Sequence, residues 1–467
     1  MRRFWLQLAA AAVFALAWIS LSALTPKHES GTFPVDPPTP YTHYLPIGTT
    51  RGRVLVVHGL DVSWEVMSLI SEALVDGGFE VYAIDLPGHG DSKAKFETAR
   101  AEEAIRKTFA HLGDNTVVLG HSLGAGLLLD LAASQQFSTM VLLDPPPLAT
   151  SEIQADRVLI ATGAIDVPRI RAFLPIAEDI GGTHVEAWIL PWAGHSAAIF
   201  SPRYIGRVVE WLGGEGAKTR TVWRIVAIVA MFVAGVVLGI KLIDHHHPGA
   251  RRHPTSSEGA GEGSSWGLRT TVVTYVAACS AAILVLKFFN PVRWLQLFAT
   301  DYLIGFILIV GIILSVKSKN PRPQNLFIAV IAAVYVIVVL GVIVSSNVLH
   351  TSLSAGRWWR FPCIAAAGLP LFFADEVVIR ALRPRWKSIV AALVTRALLL
   401  AFLLVGVLIL NRENAFLFLI APLITMFWIG LWFAAGVVHR GTQNAFATAL
   451  FAALVQGWAF AAWFVTI

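Results

Sequence analysis

From residue 222 onward the chain is a succession of apolar runs broken by short polar or basic stretches. The runs lie at about 222–243, 270–289, 297–316, 325–346, 360–379, 388–410, 414–438 and 443–466. Each has roughly the length of a helix that crosses a bilayer. Such a run leaves the fold little choice. In lipid every backbone N–H and C=O must be satisfied within the segment, so it becomes a helix. A further apolar run from Phe4 to Leu24 reads as an uncleaved membrane anchor rather than a signal peptide, because no clean small-residue cleavage site follows it. That makes about nine expected spans. The composition agrees: 56% of the 467 residues are hydrophobic and 14% charged, against roughly 25% charged in a soluble domain.

The net charge of +6 is no sign of nucleic-acid binding. Most Lys and Arg lie in short loops between apolar runs, where they set orientation. With Arg2 and Arg3 in the cytoplasm, Arg251 and Arg252, Lys317, Lys319 and Arg322, Arg380, Arg383, Arg385 and Lys387, and Arg440 all fall on that same side. Residues 25–215, which are not membrane-like, then fall outside the cytoplasm.

Residues 25–49, rich in Pro, Thr and His, read as a linker with little regular structure. From Arg53 short apolar runs alternate with amphipathic stretches. Val54–Val57, Val81–Ile84, Thr116–Leu119, Met140–Leu143, Val158–Ala161 and Val185–Leu190 read as buried strands. Trp64–Val75, Phe96–Leu112, Leu123–Ser134, Arg169–Ile180 and Pro202–Leu212 read as helices. Near-continuous apolar strands alternating with helices predict an α/β domain with a parallel sheet covered on both faces. Gly213-Gly214-Glu215-Gly216 closes it, so the expected division is 1–24 anchor, 25–49 linker, 50–214 α/β domain and 219–467 multi-span all-α domain. The two cysteines, Cys279 and Cys363, both lie in apolar runs, which leaves the α/β domain without a disulfide or a Cys-based metal site.

Val117-Val118-Leu119-Gly120-His121-Ser122-Leu123-Gly124 is an apolar strand running into G-x-S-x-G and then into a helix start. That arrangement lifts a serine hydroxyl above a sheet edge, with glycines on either side to leave it room. Acyl transfer by serine also needs a base, an orienter for the base and donors for the oxyanion. Each is available at the C-terminal end of a predicted strand, the edge where open α/β sheets bind ligands. Ser122 is the nucleophile candidate and His195, after Gly194, the base. Asp166 is the acid candidate, with Asp144 its rival on the preceding strand. The oxyanion donors would be the backbone N–H groups of Leu60 and Leu123.

These pieces, with His58-Gly59 and Asp85-Leu86-Pro87-Gly88-His89-Gly90, make residues 50–214 resemble the α/β-hydrolase superfamily. The resemblance implies a serine hydrolase, most simply a carboxylic-ester hydrolase, with no cofactor and no metal. Its substrate would be a small-molecule or lipid ester. Two departures stand out. Too few residues follow Asp144 for the helical cap many members carry, and the leading antiparallel strands are not apparent, so the expected fold is a minimal, cap-less version. The apolar half resembles no family with which it could be identified.

Blander readings accompany these. Ser122 could serve as a helix N-cap. His58, His89 and His121 read as structural. His245-His246-His247 with His253 reads as a solvated tract rather than a zinc site. Glu376 and Arg380 have the E-x-x-x-R spacing of intramembrane CAAX-type proteases, but only His439 follows, so Asp375, Glu376 and Arg396 read as interhelical ion pairs. The rival to an enzyme is a hydrolase-like sensor or binding module that regulates a transporter or channel formed by the later spans.

Overall fold

The computed structural model describes all residues except Met1, Ile47, 148–152, 176–183, 247–266, 317–322, Ser346 and 354–355. The chain packs into two units. One contains Leu8–Ala234, Gly341–Ala355 and Val465–Ile467; the other contains Met1–Gln7, Gly235–Leu340 and Gly356–Phe464.

The first unit is built on an eight-stranded sheet: β1 (His28–Phe33), β2 (Thr39–Tyr44), β3 (Arg53–Val57), β4 (Glu80–Ile84), β5 (Thr116–His121), β6 (Phe137–Leu143), β7 (Ala155–Gly163) and β8 (Val185–Leu190), in the spatial order β1-β2-β4-β3-β5-β6-β7-β8. From β3 to β8 all pairings are parallel. The alternating side chains of β3 show why both faces must be covered. Val54 and Val56 enter one core, against α2 (Ser68–Asp76) and the helix Pro202–Trp211. Leu55 and Val57 enter the other, against α3 (Thr98–Leu112) and α4 (Leu123–Leu131). Short helices α5 (Pro168–Arg171) and α6 (Ala197–Phe200) precede α7 (Pro202–Trp211). The predicted helix Arg169–Ile180 is seen at its start, and residues 176–180 lie outside the described residues.

Three expectations are corrected. Residues 25–49 are not a linker: they hold β1 and β2, paired antiparallel, with β2 antiparallel to β4. The leading strands are therefore present and the sheet is not minimal. They escape a hydropathy reading because β1 is mostly exposed and β2 buries polar groups. His43 in β2 is held by Glu29 and Glu80. The boundary at Gly214 is also not where packing divides the chain. Most of the first helix, α1 (Arg2–Leu24), and the start of α8 (Ala217–His246) belong with the sheet. The reason is Arg224. Its fully buried guanidinium bonds to Glu72, Asp76 and the carbonyl of Leu24.

The second unit is all helical. After α8 come α9 (Leu268–Phe288), α10 (Thr300–Ser315), α11 (Leu326–Val344), α12 (Arg360–Ala374), α13 (Arg385–Val405), α14 (Leu417–Thr442) and α15 (Ala445–Trp463). Among the described residues eight helices, including α1, are long and apolar enough to cross a membrane; α10 is shorter. Small residues bring backbones together. A Cβ at Gly311 of α10 would lie 2.4 Å from Leu371 N of α12, and one at Gly457 of α15 would lie 2.8 Å from Phe361 O. A π-helical turn at Asp375–Ile379 follows α12. There Asp375 accepts from Arg396 and Tyr275, and Glu376 pairs with Arg380 and His439. His247 and His253 of the histidine tract lie outside the described residues.

Candidate active site

Strand β5 delivers Ser122 through a turn that only small neighbours permit. A Cβ at Gly120 would meet Ala125 N at 2.6 Å, and one at Gly124 would meet Val57 O at 2.5 Å. Ser122 itself takes a left-handed backbone, φ 50° and ψ −117°. A non-glycine residue there costs of order 1–3 kcal/mol and persists where its surroundings fix it. Here Ser122 N–H donates to Leu143 O (2.8 Å) and Ser122 O accepts from Gly126 N–H (2.9 Å). No side-chain cap bond is made, so the hydroxyl is not spent on the helix start.

That hydroxyl lies 2.9 Å from His195 Nε2. On the other side of the ring, Nδ1 lies 2.9 Å and 3.1 Å from the two oxygens of Asp166. Asp166 Oδ1 also accepts from Val167 N–H (2.6 Å). A neutral His195 with its proton on Nδ1 satisfies both ends: it donates to the carboxylate and accepts from the serine. Burial works against ionisation of Asp166, but the hydrogen bond and charge of His195 hold its carboxyl below the usual carboxylate value. The three residues, far apart in the chain, are thus hydrogen-bonded in series.

Asp144 stands behind them and does not bond His195. It is fully buried; its Oδ1 accepts from Gly163 N–H (3.0 Å). Burial and the charge of Asp166 push its carboxyl up to about 9. At neutral pH it is a protonated acid beside an ionised one. Asp144, Asp166 and His195 bring ligand-type atoms within 4.8 Å of one another. A cation there would compete with the hydrogen bonds that Asp166 already makes to His195 and Val167.

The other histidines are structural fasteners. His58 Nδ1–H donates to Gly59 O (2.7 Å) and its Nε2 accepts from Leu86 N–H (3.1 Å). His121 Nε2–H donates to His195 O (3.0 Å), which ties down the loop carrying His195. Burial pushes both imidazoles down to about 4 and keeps them neutral. Leu123 opens α4, where a first-turn N–H has no acceptor within the helix. Leu60 follows Gly59, where an added Cβ would lie 3.3 Å from Ser122 Cβ.

The sequence reading did not single out Asp61 or Glu65 and took Asp85 only as part of a motif; all three are buried around the β3 loop. Asp85 accepts from the N–H groups of Trp64 and Asp91. Burial and the charge of Glu65 push its carboxyl up to about 7. Glu65 bonds His350 Nδ1 at 2.8 Å. No local signal in the chain marks a partner that far away.

Residues 54–281 match the alpha/beta hydrolase family. A protein of Mycobacterium phage D29 named as a non-heme haloperoxidase is 30% identical over 101 residues, which cover 20% of this chain and 36% of that protein. The chain thus spans about a third of the length of that curated relative. Among solved structures, a CIB-like hydrolase of Thermoplasma acidophilum matches with TM-score 0.35 and 18% identity over 40% of this chain and 98% of its own. An alpha-beta serine hydrolase homologue from Coxiella burnetii gives 0.33 and 14%, over 39% and 95%. A serine hydrolase without lid from Xanthomonas campestris gives 0.34 and 18%, over 39% and 92%. The sheet order and the elbow at Ser122 give residues 28–212 an α/β-hydrolase-like fold, in keeping with the family match over 54–281.

Proposed function

We propose that the protein is a membrane-tethered serine hydrolase acting on an ester-like acyl substrate. The observation that carries this reading is the series Ser122 Oγ, His195 Nε2, His195 Nδ1 and Asp166, with 2.9 Å at each link. Ser122 attacks the acyl carbon as its proton passes to His195 Nε2. Asp166 stabilises the resulting imidazolium. The N–H groups of Leu60 and Leu123 stabilise the oxyanion. His195 then protonates the leaving alcohol; in the second half it takes a proton from the water that attacks the acyl-serine and returns it to Ser122 Oγ as the Oγ–acyl bond breaks.

Two features favour a lipid or amphiphile as substrate. Only residues 144–154 separate β6 from β7, so no cap arises at that position. The open side of the rim is apolar: Trp192 is 92% exposed and Ile165 67%. These flank His195 and Asp166, and Ile165 N–H donates to Ala193 O (2.8 Å), which joins their two loops.

The threading of the chain supports a topology. Residues 341–355 and 465–467 pack in the same unit as the hydrolase domain. Between that domain and residue 341 lie α8, α9, α10 and α11; between 355 and 465 lie α12 to α15. Each set is even, so the chain returns to the side it left if every one crosses, including α10. At 16 residues that helix is about 24 Å long, which a bilayer accommodates by thinning locally. With α1 this makes about nine spans. The basic residues of the loops opposite the hydrolase domain favour the cytoplasm for those loops and an extracytoplasmic domain.

A fluorophosphonate probe, impermeant and applied to intact cells, tests chemistry and sidedness together. It is expected to label the wild type and not Ser122→Ala. No labelling after permeabilisation would remove the enzyme reading. Labelling only after permeabilisation would reverse the topology. Full biological activity in Ser122→Ala would favour the sensor module.

A further inference from the structure

The loop that carries Leu60 is held by a segment some four hundred positions along the chain. Asp61, next to Leu60, has a left-handed backbone with φ 57°, a conformation that non-glycine residues adopt only at a cost. Asp61 N–H donates to His89 Nε2 at 3.3 Å, and His89 Nδ1–H donates to Pro87 O at 2.8 Å. Asp61 Oδ1 accepts from the backbone N–H of Val465 at 2.9 Å. Val465 is fully buried and Asp61 nearly so.

Residue 465 is itself fixed. Thr466 N–H donates to Gly88 O (3.0 Å), and Phe96 N–H donates to Thr466 O (3.2 Å). The approach is close enough to require glycine at 88, where φ is 78° and an added Cβ would lie 2.5 Å from Thr466 O. The downstream end of the same loop meets residues 341–355. His350 Nδ1 bonds Glu65, and Ser68 Oγ donates to Asn347 O (2.6 Å). Residues 60–68 are thus gripped at both ends by segments that lie beyond the α/β sequence.

We propose that Val465 and Asp61 are positioning residues, and that the Val465 N–H, by bonding Asp61 Oδ1, sets the Leu60 N–H where a developing oxyanion requires it. The proposal rests on the acyl-transfer reading above. Removing one oxyanion donor outright costs about 10²–10³ in kcat. Loosening one through its neighbour should cost less.

The test uses the full chain in detergent with p-nitrophenyl butyrate as substrate and an alkyl trifluoromethyl ketone as oxyanion mimic. Asp61→Ala is expected to lower kcat about 10- to 100-fold with KM within about twofold, and to weaken ketone binding by a similar factor. Asp61→Asn keeps an acceptor oxygen and should restore most of the loss. Val465→Pro, which lacks the N–H, should behave as Asp61→Ala. The proposal is overturned if Asp61→Ala keeps wild-type kcat and ketone affinity, if Asp61→Asn falls as far as Asp61→Ala, or if only KM moves. Should Val465→Pro fail to fold, the two Asp61 variants decide. Fluorophosphonate labelling of the wild type separates the two levels: without it the acyl-transfer reading has failed, whereas with labelling and unaffected variants only the positioning has.

Discussion

Between β3 and β5 the rim of the candidate site is closed: His58, Asp61, Asp85, His89 and His121 are all buried, and each has a hydrogen bond to backbone. Between β7 and β8 it is open, with Trp192 and Ile165 among the most exposed apolar side chains of the domain. The proposed nucleophile and oxyanion donors belong to the closed side; the proposed acid and base belong to the open one. On the proposed acyl-transfer reading, the division matches what each part would have to do. An oxyanion donor works only if it is already in place when charge develops, so its loop is fixed from several directions. A side that admits an apolar chain must leave surface uncovered. His121 joins the two, since its ring sits on β5 while it holds the carbonyl of His195.

The sharpest way to break this comparison is to disable the open side chemically while leaving it folded. Asp166→Asn keeps the shape of the side chain but favours the wrong imidazole tautomer, and kcat is expected to fall about 10⁴-fold. KM for a p-nitrophenyl ester should change little. A loss of less than about tenfold would mean that Asp144, not Asp166, orients the base.

A smaller effect sharpens the role of exposure. Replacing Trp192 by Ser removes apolar surface from the rim without touching a buried contact. For long-chain esters kcat/KM is expected to fall several-fold, in line with roughly 25 cal/mol for each Å² of apolar burial lost. Short-chain esters should be unaffected. Equal loss on both would show that Trp192 shapes His195 rather than the approach of the substrate.

Most of the sheet could be read from the sequence because β3 and β5 to β7 are buried on both faces, and such strands are nearly continuous apolar runs. β1 and β2 could not, because Thr39, Thr42 and His43 are buried as polar residues; Thr39 donates to Pro37 O and His43 is held by Glu29 and Glu80, partners that hydropathy does not see. The site divides the same way. Ser122, Asp166 and His195 each follow a strong strand and a glycine-bearing turn, so their positions follow from local pattern. Asp61, Glu65 and His350 have no pattern of their own; they become intelligible only when β3 and the segments 341–355 and 465–467 are seen packed together. For Asp144 the sequence offered a choice that only geometry resolves, since its strand end is as well formed as that of Asp166.

Asp144 also gives the least disruptive probe of the two sides. Its folded carboxyl is raised to about 9 by burial, whereas an unfolded aspartate titrates near 3.9. Between those values the folded state binds a proton that the unfolded state has released. Stability that is fully present below about pH 4 is therefore lost as pH rises through 9. Asn at this position cannot ionise, so Asp144→Asn removes that loss. The variant's melting temperature should match the wild type near pH 4 and exceed it by a growing margin up to pH 8, with activity nearly unchanged because Asp144 does not bond His195. His58 and His121 act in the opposite sense: their folded imidazoles are lowered to about 4, so both proteins should lose stability together as pH falls from about 6.5. If the difference between variant and wild type stays flat with pH, Asp144 is ionised in the fold, and the paired carboxyls behind His195 carry two charges rather than one.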